Sequence, residues 1–134
     1  MALITFNVGA QELARRSLNY SATGDVKLKL FTSNTTLAET TLIGDLTIAS
    51  WTGYADATLT GASWTVTNAD PASASYAKQT FTSSAGSQNV NNYGYVVTNS
   101  AGTIALWGET FSDGPYNIAN NGDKIEVTPV WTLD

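Results

Sequence analysis

Short stretches of period-two alternation, rich in Thr, Val and aromatic residues and cut apart by Gly, Asn, Asp and Pro, recur along most of this chain. Alternation at every second position puts one set of side chains on each face of an extended strand, so the pattern demands sheets. From Asp25 onward, Val26, Leu28 and Leu30 fall on one side, and Lys27, Lys29 and Phe31 on the other. Similar stretches run over Ala55 to Thr60, Ser63 to Asn68, Tyr76 to Thr82, Val90 to Thr98, Thr103 to Phe111 and Lys124 to Leu133. Polar turns are expected at Ser33 to Thr36, Asn68 to Ser73 and Ser83 to Asn89, and further breaks at Asp113-Gly114-Pro115 and Asn120-Asn121-Gly122-Asp123. Leu37 to Ser50 is less regular and reads as a loop with strand character. The short polar gap Ser100-Ala101-Gly102 makes the strands on either side the clearest hairpin in the chain. Pro129, inside the last alternating run, places a sheet edge or a bulge there. The sum is a mostly β fold, an antiparallel β-sandwich or barrel-like domain of about seven or eight short strands.

One segment breaks the pattern. Over Gly9 to Asn19, Leu13, Ala14 and Leu18 share a helical face and Glu12 precedes Arg16 by four residues. So short a helix is marginal alone and must dock on the domain or on another subunit. No linker or composition shift divides the chain. It reads as a single β domain over 1–134, with an N-terminal arm and helix at 1–20, a turn at Asn19, Ser21 and Gly24, and an antiparallel body at 25–134.

Composition narrows the chemistry. Charged residues make up only 13% of the chain, against about 25% in an average domain. Thr, Ser and Asn must therefore carry its polarity. The net charge is −5 and the basic residues are scattered, so no stripe exists to neutralise a phosphate backbone, and direct nucleic-acid binding is not expected. No apolar run is long enough for a membrane span, and Met1 to Val8 lack the layout of a secretory signal. With neither Cys nor His present, there is no disulfide, thiolate nucleophile, histidine triad or histidine-bound zinc.

Among the remaining groups, Glu109, Asp113 and Glu126 contain the two carboxylates that glycoside cleavage needs, although solvated strand and turn carboxylates are the plainer reading. The turns at Asp113-Gly114 and Asn120 to Asp123 offer oxygens, but not the spacing of a calcium loop. No Gly-rich phosphate loop opens a helix, and no cofactor or metal is expected. The sequons at Asn19 and Asn34 match a pattern that arises often by chance. Aromatic residues are the main candidates for contact. Trp64, Trp107 and Phe111 are expected in the core, while Tyr54, Tyr93 and Tyr116 are the candidates for exposure on a sheet face, where rings can stack on sugars or anchor an interface.

Several stretches taken in order resemble a family of small virion proteins of tailed bacteriophages. They are Asn7-Val8-Gly9 with Glu12-Leu13 and Leu18, Trp51-Thr52-Gly53-Tyr54-Ala55, Ala62-Ser63-Trp64-Thr65-Val66, Tyr93-Gly94-Tyr95-Val96-Val97-Thr98, Leu106-Trp107-Gly108-Glu109, Phe111 to Tyr116, and Ile125 to Pro129. The resemblance spans nearly the whole chain and brings no catalytic motif. It implies a capsid decoration, or cement, protein on the virion surface that binds the major capsid protein, with a homotrimer as the assembled state. Other virion roles in tail, baseplate or fibre, and a carbohydrate-binding module for host attachment, stand as alternatives. Leu3, Ile4, Phe6, Leu13, Arg15 and Arg16 are the candidate partner-binding residues. Leu3, Ile4 and Phe6 either enter a neighbour's groove or form the domain's own first strand. Arg15 and Arg16 either meet an acidic neighbour or form a solvated helix face.

Overall fold

The computed structural model describes residues 3–17 and 25–133, apart from the side chains of 14–17 and 133. The chain folds into antiparallel sheets with one short N-terminal helix, a sandwich-like arrangement with no closed barrel among the described residues. In chain order the elements are β1 (Ile4–Thr5), α1 (Asn7–Ser17), β2 (Val26–Phe31), β3 (Ala57–Leu59), β4 (Thr65–Thr67), β5 (Ala72–Ser75) and β6 (Gln79–Thr82). They continue as β7 (Val90–Asn92), β8 (Gly94–Thr98), β9 (Ala105–Thr110), β10 (Tyr116–Ile118), β11 (Lys124–Val127) and β12 (Val130–Leu133).

The largest sheet has five strands in the order β1-β9-β8-β2-β3. Its middle strand, β8, is buried at every position. Tyr95 and Val97 join Val26, Leu28 and Leu30 in one apolar cluster, which Phe81, Ile118, Ile125 and Val127 close from the small sheets opposite. Val96 points the other way, into a second cluster with Phe6, Phe31, Leu37, Leu46 and Ala105. A strand covered on both faces reads as a continuous apolar run, which is why Tyr95-Val96-Val97 carries no polar alternate. The expected hairpin is β8–β9. Its turn is held by Asn99, whose side-chain Oδ1 accepts from the backbone N–H of Thr103 at 2.9 Å and of Ile104 at 3.1 Å, and Gly102 takes the left-handed conformation at φ 75°.

A bulge in this hairpin decides which side chains face which cluster. Val97 pairs with Trp107 and Thr98 with Ala105, leaving Leu106 as the extra residue. Such an insertion resets the alternation. Consecutive Leu106 and Trp107 therefore both enter the first cluster while Ala105 joins the second.

The remaining strands form a two-stranded pair β10-β7, a pair β11-β6 and a three-stranded sheet β12-β5-β4. The last two are one ribbon bent at a corner, where Tyr76, Ala77 and Lys78 on one strand face only Thr128 and Pro129 on the other. Pro129 has no N–H to donate, so the ladder stops there, and its carbonyl instead accepts from Tyr76 N–H at 3.0 Å. Pro129 is fully buried, so the expected edge or bulge is a sheet-to-sheet corner.

Several expectations about the elements change. The helix starts at Asn7, because Gly9 belongs inside it: a Cβ there would lie 2.1 Å from the Leu106 carbonyl oxygen, so only glycine lets the helix rest on β9. Leu18, Asn19 and the turn to Gly24 lie outside the described residues. Leu37 to Ser50 holds a 3₁₀ turn at Ile43–Asp45 and a single bridge from Phe31 to Ile48, with no ladder. Ala72–Ser75 is strand although the expected turn ran as far as Ser73, since its small side chains are carried by pairing with β12 and β4. Tyr116–Ile118 pairs with β7 between two turn signals that conceal it.

Candidate functional site

The N-terminal residues belong to the fold itself. Ile4 pairs with Gly108 and Thr5 with Trp107, which makes β1 an edge strand of the five-stranded sheet. Phe6 is 0% exposed and sits in the second cluster, with its N–H donated to the Leu106 carbonyl at 3.1 Å. Asn7 N–H donates to the Glu39 carbonyl at 2.8 Å. Leu3 and Ile4 are half-buried against the first and second clusters respectively. Of the two readings of this segment, the domain's own first strand is the one the geometry gives. Phe6 is corrected from a partner-binding candidate to a core residue, because a ring with no exposed surface has nothing to offer a partner. Leu13 is half-buried and lines a cleft described below. Arg15 and Arg16 lie on α1, and their side chains are outside the described residues.

The three tyrosines named as candidates for exposure are all half-buried. Tyr54 lies between Trp51 and Phe81, at ring-centroid distances of 5.4 and 5.6 Å. Its hydroxyl accepts from Leu30 N–H at 3.0 Å and donates to Asp56 Oδ1 at 2.9 Å, and burial pushes its pKa well above the usual tyrosine value. Asp56 also pairs with Lys29 at 3.0 Å, so the network ties the loop after Trp51 to β2. Tyr93 packs on the second cluster. Tyr116 lies 4.7 Å from Phe111 and donates its hydroxyl to Asp113. Of the three residues expected in the core, Trp107 is buried while Trp64 and Phe111 are half-buried.

Two surface features gather several aromatic rings. In the first, the fold brings Glu109, Asp113 and Glu126 to one groove of about 280 Å³, with Tyr95, Phe111 and Tyr116 among its walls. Each carboxylate is an engaged acceptor. Glu109 takes the Tyr95 hydroxyl at 3.0 Å, Asp113 takes that of Tyr116, and Glu126 bonds Lys78 at 3.1 Å and Lys124 at 3.3 Å. The lysines, Lys78 first, hold the Glu126 carboxyl below the usual range. A glycosidase acid needs the opposite shift, so Glu126 is not tuned for that role, and the groove sets hydrogen-bond acceptors beside aromatic rings. Asp123, in the oxygen-rich turn, spends its carboxylate on the N–H groups of Ala119 at 2.9 Å and Asn120 at 2.7 Å, which lowers its pKa. Among the described residues no group of Asp and Glu is arranged to hold a metal ion, and no helix is long and apolar enough to cross a membrane.

The second feature is a cleft of about 230 Å³ whose walls include Trp64, Trp107, Trp131, Val66, Ala74 and Leu13. Pairing across the three-stranded sheet aligns Val66, Ala74 and Trp131 in one row, and the small Ala74 between two larger neighbours leaves the slot open. Trp107 lies 6.1 Å from Trp64 and 5.9 Å from Trp131, tilted to both. It is only 4% exposed, and its indole N–H has no hydrogen-bond partner among the described residues. Val66 is 74% exposed on edge strand β4, whose residues are all exposed. The sequence named Trp64 and Trp107 as core residues and missed the cleft. The signal that locates it is the cross-strand register of Ala74, which alternation alone does not supply. Comparison with family models, with curated proteins and with solved structures returns no match.

Proposed function

We propose that this chain is a non-enzymatic structural protein of a tailed-bacteriophage virion, which decorates the capsid shell by binding the major capsid protein. The resemblance of its ordered motifs to small virion proteins supports the phage assignment. The observation that carries the contact role is the tryptophan cleft beside exposed Val66, an apolar surface on a chain whose polarity rests on Thr, Ser and Asn. A part repeated many times on a shell attaches through contacts that are individually weak, and a small cleft suits that task. The N-terminal segment contributes by closing the fold, which leaves a compact body to be set on the shell. A homotrimer is the assembled state in this reading, in keeping with the closed symmetry of most oligomers. Imaging of intact particles is the direct test: copies covering the head support the proposal, and copies confined to tail, baseplate or fibre overturn it. Light scattering that finds only monomer, with no oligomer on the particle, removes the trimer.

A second reading rests on the other surface. Tyr95, Phe111 and Tyr116 beside Glu109 and Asp113 supply aromatic surface and charged acceptors, the two elements a sugar-binding groove uses, and so support a carbohydrate-binding role in host attachment. A glycan array with no bound surface polysaccharide removes it.

A further inference from the structure

Within the virion reading, the cleft itself restricts what can occupy it. Among the described residues its walls carry no charged side chain, so a charged occupant would lose its hydration without compensation from them. At about 230 Å³ it falls below the ~300–1,000 Å³ of small-molecule pockets, which leaves room for one ring or one large aliphatic side chain. A sugar ring of that size would bury several hydroxyls against indole and hydrocarbon. Beside the cleft, β4 is the outer strand of its sheet, with one side of its backbone unpaired among the described residues, and Val66 is both a member of that strand and a wall of the cleft.

We infer that the cleft and the free edge of β4 form one recognition site for an extended, uncharged peptide segment of the partner subunit. The segment adds a strand along Thr65–Thr67 and places one large apolar side chain between Val66 and the tryptophans. Main-chain pairing supplies attachment, and the single hole supplies selectivity. Ala74 sets the width of the hole, so a larger residue there closes it without touching the edge.

The test is a titration of the full chain, labelled for indole N–H resonances, with the synthetic peptide acetyl-Thr-Leu-Thr-Leu-Thr-amide at millimolar concentration. Its Lys-for-Leu analogue, its N-methylated analogue and free glucose serve as comparisons. The Trp107 resonance, assigned with Trp107→Phe, is expected to shift with the first peptide alone. Ala74→Leu is expected to abolish that binding, and Val66→Ser, at an exposed position, gives the same loss by a route that leaves the core untouched. No shift with the peptide, an equal shift with the Lys analogue or with glucose, or undiminished binding by both Ala74→Leu and Val66→Ser overturns the inference. Co-sedimentation with capsid shells separates this site from the function assigned above. Shell binding that survives both substitutions overturns the site alone, whereas peptide binding without shell binding leaves the site standing and overturns the decoration role.

Discussion

The two halves of the molecule are built from the same kind of strand and differ in what covers them. In the five-stranded sheet, β8 is buried on both faces, between the first cluster on one side and Phe6, Phe31 and Leu37 on the other. In the three-stranded sheet, β5 reads Ala-Ser-Ala-Ser with every residue half-buried, and β4 beside it is exposed throughout. Large side chains fill the first sheet. Small ones thin the second until a hole opens between Val66 and Trp131. The difference teaches that the stable part of this domain and the part proposed for contact are separate, and that the N-terminal segment belongs to the stable part.

The sharpest way to break that comparison is to remove a piece from the side called structural. Deleting residues 1–18 takes away β1 and α1 and uncovers the second cluster, so circular dichroism should report loss of the cooperative fold; a folded product that merely fails to attach would restore the N-terminal segment as an anchor. Gly9→Leu should act almost as strongly, because its side chain has no room above the β9 backbone. Phe6→Ala, at a fully buried ring, should cost about 3–5 kcal/mol by denaturant unfolding. A cost within that of a surface change would contradict its placement.

Smaller effects sharpen the contrast. Tyr95 is largely buried and donates to Glu109, and burial first, then that carboxylate, raises its pKa from 10.0. A raised folded-state value means that the unfolded chain gives up its proton first as pH rises. The associated stability is therefore whole below pH about 10 and is lost as pH climbs toward the folded value. Unfolding midpoints should fall above that pH, and less steeply in Tyr95→Phe. In the contact region, Val66→Thr should change stability by no more than about 0.5 kcal/mol, as at other exposed positions. Trp107→Phe, which keeps most of the ring and deletes a donor without a partner, should change it little or raise it.

The divide also runs through what was legible in the sequence. Alternation placed β2 and the β8–β9 hairpin, because large apolar residues report directly on which face is covered. It failed at Ala72–Ser75, where alanine and serine carry almost no contrast, and at Tyr116–Ile118, a strand too short to stand out between Pro115 and Asn120. The Leu106 bulge was equally silent, since an extra residue shows only once its partners Val97 and Thr98 are paired. Glu109, Asp113 and Glu126 were named together from chemistry, and the fold does bring them to one groove. The tryptophan cleft was not named. Its residues were distributed between core and strand, and the space among them follows from one small side chain held in register by two neighbouring strands.

Hydrogen exchange measured on the free protein and on the protein bound to capsid shells tests the separation of the two regions most directly. The account predicts that residues 4–13 are already protected in the free protein and change little, while 64–67 gain protection on the shell. Protection gained at 4–13 only on the shell, with 64–67 unchanged, would contradict it.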